Sequence, residues 1–450
     1  GVGENSPFPD SPSPTLSQWR SRSPHLKSPF PHGRSRSQSG SRSRPRVGSG
    51  EAKPLPTVAR SFVFANNKGG VGKSTLLFNL ATEYACRHPE VNVLVIDLSL
   101  YADSSTLLLG GTGKIEGIQR GRLMTQRLPP NRKSSELLKA LLQFAKDCRA
   151  HKSWWPNGQW FRRQSFDFAR HAHPIRDALT RSHVPPNLFL CAGGPELRQV
   201  LSRSNWGDAC YALRKSMEAE LYDPEIPEIS GPGIPPTSPG ILGPARGASA
   251  LRQWVLFFDT DHEIHTPHAR LALGCAERLI IPMSLDENDY DRLFIEEIAL
   301  FPVLNKLNDQ GVLKAKVDRI IFNRMQKYIN TPYNDENGGK LSFTPVIADI
   351  NQMKSIMRDL HSKFLKGMHK VFVDSDDVGT SFSRFIDRFC SAMPFAAATC
   401  INASKEKGIA LGLMPPSQGG SAMLGDHISH IMDDIESQGD PTIASMYAGE

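Results

Sequence analysis

The sequence predicts an α/β fold: a mostly parallel β-sheet with helices on both faces, preceded by a disordered N-terminal head. Three observations predict it. Short apolar, β-branched runs alternate with longer stretches of helical periodicity. A glycine-rich loop at 66–75 stands directly between one such strand and one such helix. Residues 1–58 are rich in Ser, Pro, Arg and Gly, and such a segment cannot bury enough apolar surface to offset its ordering entropy.

The elements run in order. Residues 61–66 form a first apolar strand, and 74–86 carry Leu76, Leu77, Leu80, Ala81, Tyr84 and Ala85 at helical spacing. Residues 91–97, Val-Asn-Val-Leu-Val-Ile-Asp, form a second strand. Leu137, Leu138, Leu141, Leu142 and Ala145 mark a helix over 135–148. Further strands are expected at 187–191, 254–259, 278–282 and 317–323, near-continuous apolar runs of the kind buried on both faces of a parallel sheet. Two segments interrupt a domain spanning 59–420. Residues 111–185 are basic and interleaved with Trp154, Trp155, Trp160, Phe161, Phe166 and Phe168, and 222–249 is a Pro- and Gly-rich loop. Residues 421–450 are set apart as an acidic tail, with Asp426, Asp433, Asp434, Glu436, Asp440 and Glu450.

Charge sharpens this division. The 450 residues hold 53 Lys+Arg and 46 Asp+Glu, a surplus of +7. Residues 1–60 alone hold ten basic and three acidic residues, so the remainder is neutral. Within that remainder, 111–185 holds 15 basic and 5 acidic residues, so the rest of the body is acidic by the same amount. The head also has five Ser-Pro steps and an Arg-Ser alternation from Arg34 to Arg46. Four roles stay open for it: nucleic-acid binding, phosphorylation-tuned regulation, organelle targeting, or a solvated tail. The 7 cysteines are scattered, odd in number and without a C-x-x-C pair. That argues against a disulfide framework, structural zinc or an iron–sulfur cluster. No apolar run approaches the roughly 18 residues of a spanning helix. An intracellular location is expected, the cytoplasm first, with nucleus and organelle left open by the head.

The loop reads Asn-Asn-Lys-Gly-Gly-Val-Gly-Lys-Ser-Thr. Gly69, Gly70 and Gly72 let the backbone curl around Val71 so that successive N–H groups turn toward phosphate oxygens. Lys73 supplies a point charge to the terminal phosphates, and the Ser74 hydroxyl is placed to meet Mg²⁺. The helix starting at Ser74 and Thr75 adds its positive end. ATP and Mg²⁺ are the expected ligands.

The lysine at the head of the glycines, Lys68, makes a K-G-G-x-G-K-[ST] pattern. It resembles the deviant Walker A loop of the ParA/MinD/Soj ATPase superfamily, P-loop NTPases that also include the nitrogenase iron protein and the arsenite and tail-anchored-protein ATPases. Other stretches share the resemblance. Val-Leu-Val-Ile-Asp97, followed by Asp103-Ser-Ser-Thr, is similar to the family's second strand and first switch. Val-Leu-Phe-Phe-Asp259 is similar to its Walker B strand, with the second switch at 259–265, and 276–282 followed by 284–293 is similar to the family's A-D-x-x-I-x-P stretch beyond. Residues 317–324 resemble the strand ending in an adenine-reading Asn, and 394–409 more weakly resemble the strand and loop closing over the base. The resemblance spans about 59–410. It implies that Lys68 crosses an ATP-bound homodimer to the partner's phosphates, that Ser74, Asp97 and Asp259 serve Mg²⁺, and that Asn323 and Arg324 serve the base.

Two departures matter. The second acid of the first switch is Ser99 here, with Asp103 the candidate to stand in, and Asp261-His262 replaces the usual Pro-Pro. Cradle, lysines and Mg²⁺ still bind ATP without a water-positioning acid. The acidic C-terminal stretch lacks the basic amphipathic character of a membrane-binding helix. The expectation is therefore a ParA/Soj-like ATPase, a dimer switch for positioning or partitioning DNA or cargo. The alternative is a hydrolysis-poor nucleotide-binding scaffold for nucleic acid or a protein partner, and a ligase is a weaker third. Within 111–185, Arg120, Arg122, Arg127, Arg132, Lys133, Arg162 and Arg163 could pair with phosphates, or the insert packs as ordinary structure.

Overall fold

The computed structural model describes residues 57–152, 166–175, 184–219, 252–295, 297–329, 333–334, 340–341, 343–394, 398–414 and 421–436. Almost all of the head, the stretch with Trp154, Trp155, Trp160, Phe161, Arg162 and Arg163, the 222–249 loop and residues 437–450 lie outside them.

Eight strands form one sheet: β1 (Val58–Phe64), β2 (Asn92–Asp97), β3 (His173–Pro174), β4 (Leu188–Cys191), β5 (Trp254–Asp259), β6 (Arg278–Met283), β7 (Lys316–Met325) and β8 (Cys390–Pro394). Their order across the sheet is β8-β7-β6-β1-β5-β2-β4-β3. Every neighbouring pair is parallel except β3 with β4. The longer helices are α1 (Lys73–Arg87), α2 (Asp103–Leu108), α3 (Arg120–Arg127), α4 (Ser134–Lys152), α5 (Trp206–Glu218), α6 (Pro267–Cys275), α7 (Glu287–Phe294), α8 (Leu300–Asp309), α9 (Ile347–Leu365), α10 (Phe382–Phe389), α11 (Ala398–Lys407) and α12 (Ser421–Glu436).

The strands divide their side chains by the period of two. Phe62, Phe64, Val93, Val95, Val255 and Phe257 enter one core with α1 and α12. Val63, Leu94, Ile96, Leu256 and Phe258 enter the opposite core with α4, α5, α6 and α8. That two-sided burial is why these runs read as continuously apolar. In register, Phe64 lies beside Asp259 and Asp259 beside Asp97. Three strand ends therefore meet at the carboxyl edge of the sheet, where open α/β sheets hold ligands.

Two segments differ from the sequence expectation, and a third, the insert, shows one of its two open readings in part. The stretch 394–409 is not a strand followed by a loop: the strand is β8, ending at Pro394, and α11 occupies most of the remainder. Cys390, Ser391 and Ala392 are small side chains buried beside β7, so they carry little β-branched signal. Part of the insert packs on the core. Phe168 packs against Trp254 of β5, ring centroids 6.4 Å apart, and meets Phe166 edge to face. β3, from the same insert, adds an antiparallel edge strand.

The acidic stretch from 421 is no loose tail up to Glu436. In α12, Leu424, Ile428, Ile431, Met432 and Ile435 are all buried against α1 and the sheet. Its acids are engaged by cations of the body. Arg87 pairs with Asp433 at 2.7 Å and with Glu436 at 3.0 Å, and His88 meets Glu436 at 2.8 Å. The buried Arg319 donates to the Asp434 and Asp387 carbonyls. No helix among the described residues is long and apolar enough to cross a membrane.

Candidate nucleotide site

β1 ends at Phe64 and the chain turns through 66–72 into α1. Gly70 and Gly72 take the left-handed region at φ 79° and 93°, where a side chain is strained. Gly72 has a second reason to be glycine: a Cβ there would lie 2.3 Å from Asn323 Nδ2. Gly72 caps α1 with no side-chain acceptor. The N–H groups of the first helical turn therefore face a ligand position rather than a protein cap.

The loop and the strand ends enclose a cavity of about 340 Å³, lined by Gly69, Gly70, Gly72, Lys73, Ser74, Thr75, Ser99, Asp103, Asp261, Arg324 and Lys405 among others. Its volume falls in the lower range of small-molecule sites. Lys73 is folded back, its Nζ donating to the Lys68 carbonyl at 2.7 Å. Burial lowers its pKa, opposed by the charges of Asp259, Asp261 and Asp103. Lys68 reaches the other way. Its ammonium lies 2.9 Å from Asp286 and 3.0 Å from Asp289. Burial works against its charge, yet these two carboxylates hold its pKa above the ordinary lysine value.

The two strand-end carboxylates are unequal. Asp97 accepts from the Ser99 N–H and, on its other oxygen, from the Ser105 N–H and hydroxyl. This ties the first-switch segment to β2. Asp259 is fully buried, and among the described residues neither of its oxygens has a hydrogen-bond partner. Burial first, and the neighbouring Asp97 second, push its pKa up to about 8. A bare buried carboxylate beside a second one and a helix-start hydroxyl is expensive without a counter-ion. It is the sparse oxygen set that Mg²⁺ takes when phosphate and water complete its shell. The residues fit the metal: Asp259 and Ser74 would hold it, with Asp97 behind.

Asp103 opens α2 and lines the cavity; burial and then Asp261 raise its pKa. Ser99 also lines the cavity, its hydroxyl accepting from the Tyr101 N–H at 3.1 Å. Val71 is buried and receives Asn323: the Asn323 amide donates to the Val71 carbonyl at 2.7 Å. Asn323 thus braces the loop and is not in the cavity wall, whereas Arg324, with φ 65°, is. Sequence reasoning missed Asp286 and Asp289, more than two hundred residues from Lys68, and Lys405 on α11. No local spacing announces them.

An open parallel sheet with a phosphate-type loop after its central strand and two carboxylates at the adjoining strand ends defines a P-loop nucleotide-binding protein. The chain belongs to the CobQ/CobB/MinD/ParA nucleotide binding domain family, which matches residues 62–398. Solved structures similar to it include an ATP complex of McdA from Cyanothece, at 12% identity over 86% of this chain and 99% of that one, TM-score 0.45. pNOB8 ParA is similar at 11% identity over 84% and 97%, TM-score 0.46. MinD in the MinC:MinD complex of Aquifex aeolicus is similar at 12% over 85% and 98%, TM-score 0.40. Among curated proteins no significant match is found.

Proposed function

We propose that the chain is a Mg²⁺-dependent ATPase of slow turnover that works as an ATP-driven dimer switch positioning DNA or another cargo. The observation that carries this reading is one cavity lined by the glycine loop, Lys73 and Ser74, with Asp97 and Asp259 side by side at the neighbouring strand ends. The loop N–H groups and α1 hold the phosphates. Lys73 exchanges the Lys68 carbonyl for the terminal phosphates, and Lys68 leaves Asp286 and Asp289 for the phosphates of a second copy. Mg²⁺, when bound, neutralises charge on the phosphates. Asp103, at the cavity wall, is the acid left to orient water. Family membership supports a homodimer working with nonspecific DNA or a protein adaptor.

Light scattering with ATP, ADP and no nucleotide tests the switch: mass should double with ATP only. Lys68→Ala should keep ATP binding and lose the doubling. A variant that dimerises and turns over normally would sink the role of Lys68.

Ser99 favours a second reading, a scaffold that binds ATP and barely hydrolyses it, because its hydroxyl is already engaged and carries no charge. Steady-state phosphate release with and without duplex DNA separates the two. Turnover stimulated by DNA supports the switch; a rate at background in both conditions supports the scaffold.

A further inference from the structure

The basic insert contributes α3, and α3 forms one wall of a second cavity of about 520 Å³. The other walls are the 100–102 turn, Thr106 of α2 and the 193–198 segment after β4. Tyr101 and Thr106 line both this cavity and the nucleotide cavity, so the two share a wall.

The cations of the insert divide by their partners. Arg132 donates to the Ala169 and Ala172 carbonyls, and Lys133 pairs with Glu196 at 2.9 Å. These two hold structure. Arg122 and Arg198, both exposed at the cavity, have no ion pair or side-chain hydrogen bond among the described residues. Lys133 neutralises Glu196, and although Arg122 lies within electrostatic reach of Asp103 in the adjoining cavity, both guanidinium groups keep their N–H donors available here.

We propose that this cavity binds a small organic molecule carrying two oxyanion groups, carboxylate or phosphate, held by Arg122 and Arg198. Each guanidinium can take an oxyanion bidentately. Leu100, Ala102 and Pro195 offer apolar contact for the carbon frame between the charges. A recess of this volume suits a small ligand, whereas a polymer backbone needs cations along an open track. Occupancy reaches the nucleotide site through the backbone. The Gly194 N–H donates to the Ser99 carbonyl, and a Cβ at Gly193 would lie 2.7 Å from Asp97. Any coupling between the sites is reciprocal.

The test is isothermal titration of the full chain with succinate, citrate and 3-phosphoglycerate, without nucleotide and again saturated with ADP and Mg²⁺. We expect at least one to bind with Kd below about 1 mM in both conditions. The Arg122→Gln/Arg198→Gln double variant should weaken it at least tenfold at unchanged melting temperature. The preference between succinate or citrate and 3-phosphoglycerate assigns the anion type. The proposal is overturned if none binds, if binding survives the double variant, or if ADP displaces the anion. It is equally overturned if these arginines serve only duplex DNA. The nucleotide-free arm does not involve ATP, so it fails or succeeds apart from the switch reading.

Discussion

Asp259→Asn is the sharpest probe of the nucleotide site, because it separates the cost of that carboxylate from its use. Without ligand, Asp259 is a fully buried acid whose oxygens lack a well-formed hydrogen bond among the described residues; burial and then Asp97 raise its pKa to about 8 against the weaker pull of the Ser74 and Ser104 hydroxyls and Lys73. The folded state therefore holds a proton that the unfolded chain, titrating near 3.9, has released. The sign is then fixed: the stability Asp259 contributes is present below about pH 4 and is lost as pH rises toward 8. At 1.36 kcal/mol per pH unit the nominal loss over four units is ~5 kcal/mol, an upper bound, because water entry and relaxation lower the cost of a buried charge. The nucleotide-free Asn variant should thus melt a few degrees above the parent at pH 8, the gap narrowing toward pH 5. Scanning calorimetry across that range measures it. ADP with Mg²⁺ should then raise the melting temperature of the parent far more than that of the variant. An Asn variant that is less stable at pH 8, or that keeps the parent's pH slope, would refute the argument that this carboxylate awaits a cation.

The same structure sets other expectations. Ile431→Ala, at a position 1% exposed in α12, should cost about 2–5 kcal/mol by denaturant melt; a loss under about 0.5 kcal/mol would mean that α12 does not pack on the body. His88→Ala should destabilise by about 1 kcal/mol at pH 6 and by less at pH 8. The Glu436 hydrogen bond raises the His88 pKa, so its contribution is full below about 6.5 and fades as pH rises through the raised value. Equal losses at both pH values would rule out a charged pair.

Much of the framework is legible in the sequence because strand burial and loop chemistry leave local marks. Trp254–Asp259 has the same bounds in sequence and structure, since a short apolar run ending in an acid admits few other readings. The glycine loop is legible because curvature, charge and helix start are all encoded within ten residues. The hidden parts depend on tertiary context. In α12 the i, i+4, i+7 apolar set is masked by acids that turn out to face Arg87, His88 and Arg319. Asn323 carries a base-reading expectation by position alone, and only the fold shows its amide bonded to the Val71 carbonyl. The partners of Lys68 come from a different strand end, and no spacing rule reaches them.

Those partners bear on how the proposed switch is set. Lys68 is a quarter exposed and held by Asp286, itself 46% exposed, and by the fully buried Asp289. A part-exposed pair of this kind contributes about 1 kcal/mol or less. The Asp286 pair is of that kind, the Asp289 pair is the more buried of the two, and a phosphate carrying several negative charges competes with both. Asp289 is fixed from behind, its other oxygen accepting from the Ser284 N–H at 2.6 Å and from the Ser284 hydroxyl. Removing it would disturb the loop after β6. Asp286→Asn keeps the side chain's shape ahead of α7, where the Asp286 carbonyl accepts from the Asp289 and Tyr290 N–H groups. Asp286→Asn should therefore loosen Lys68, still held by Asp289, and raise the ATP-dependent dimerisation constant up to about fivefold, the ratio that 1 kcal/mol gives at 1.4 kcal/mol per tenfold. ATP affinity of the monomer should be unchanged. Sedimentation equilibrium with ATP measures the constant. Weaker dimerisation in this variant would mean that Asp286 serves the closed dimer rather than restraining Lys68 in the open subunit.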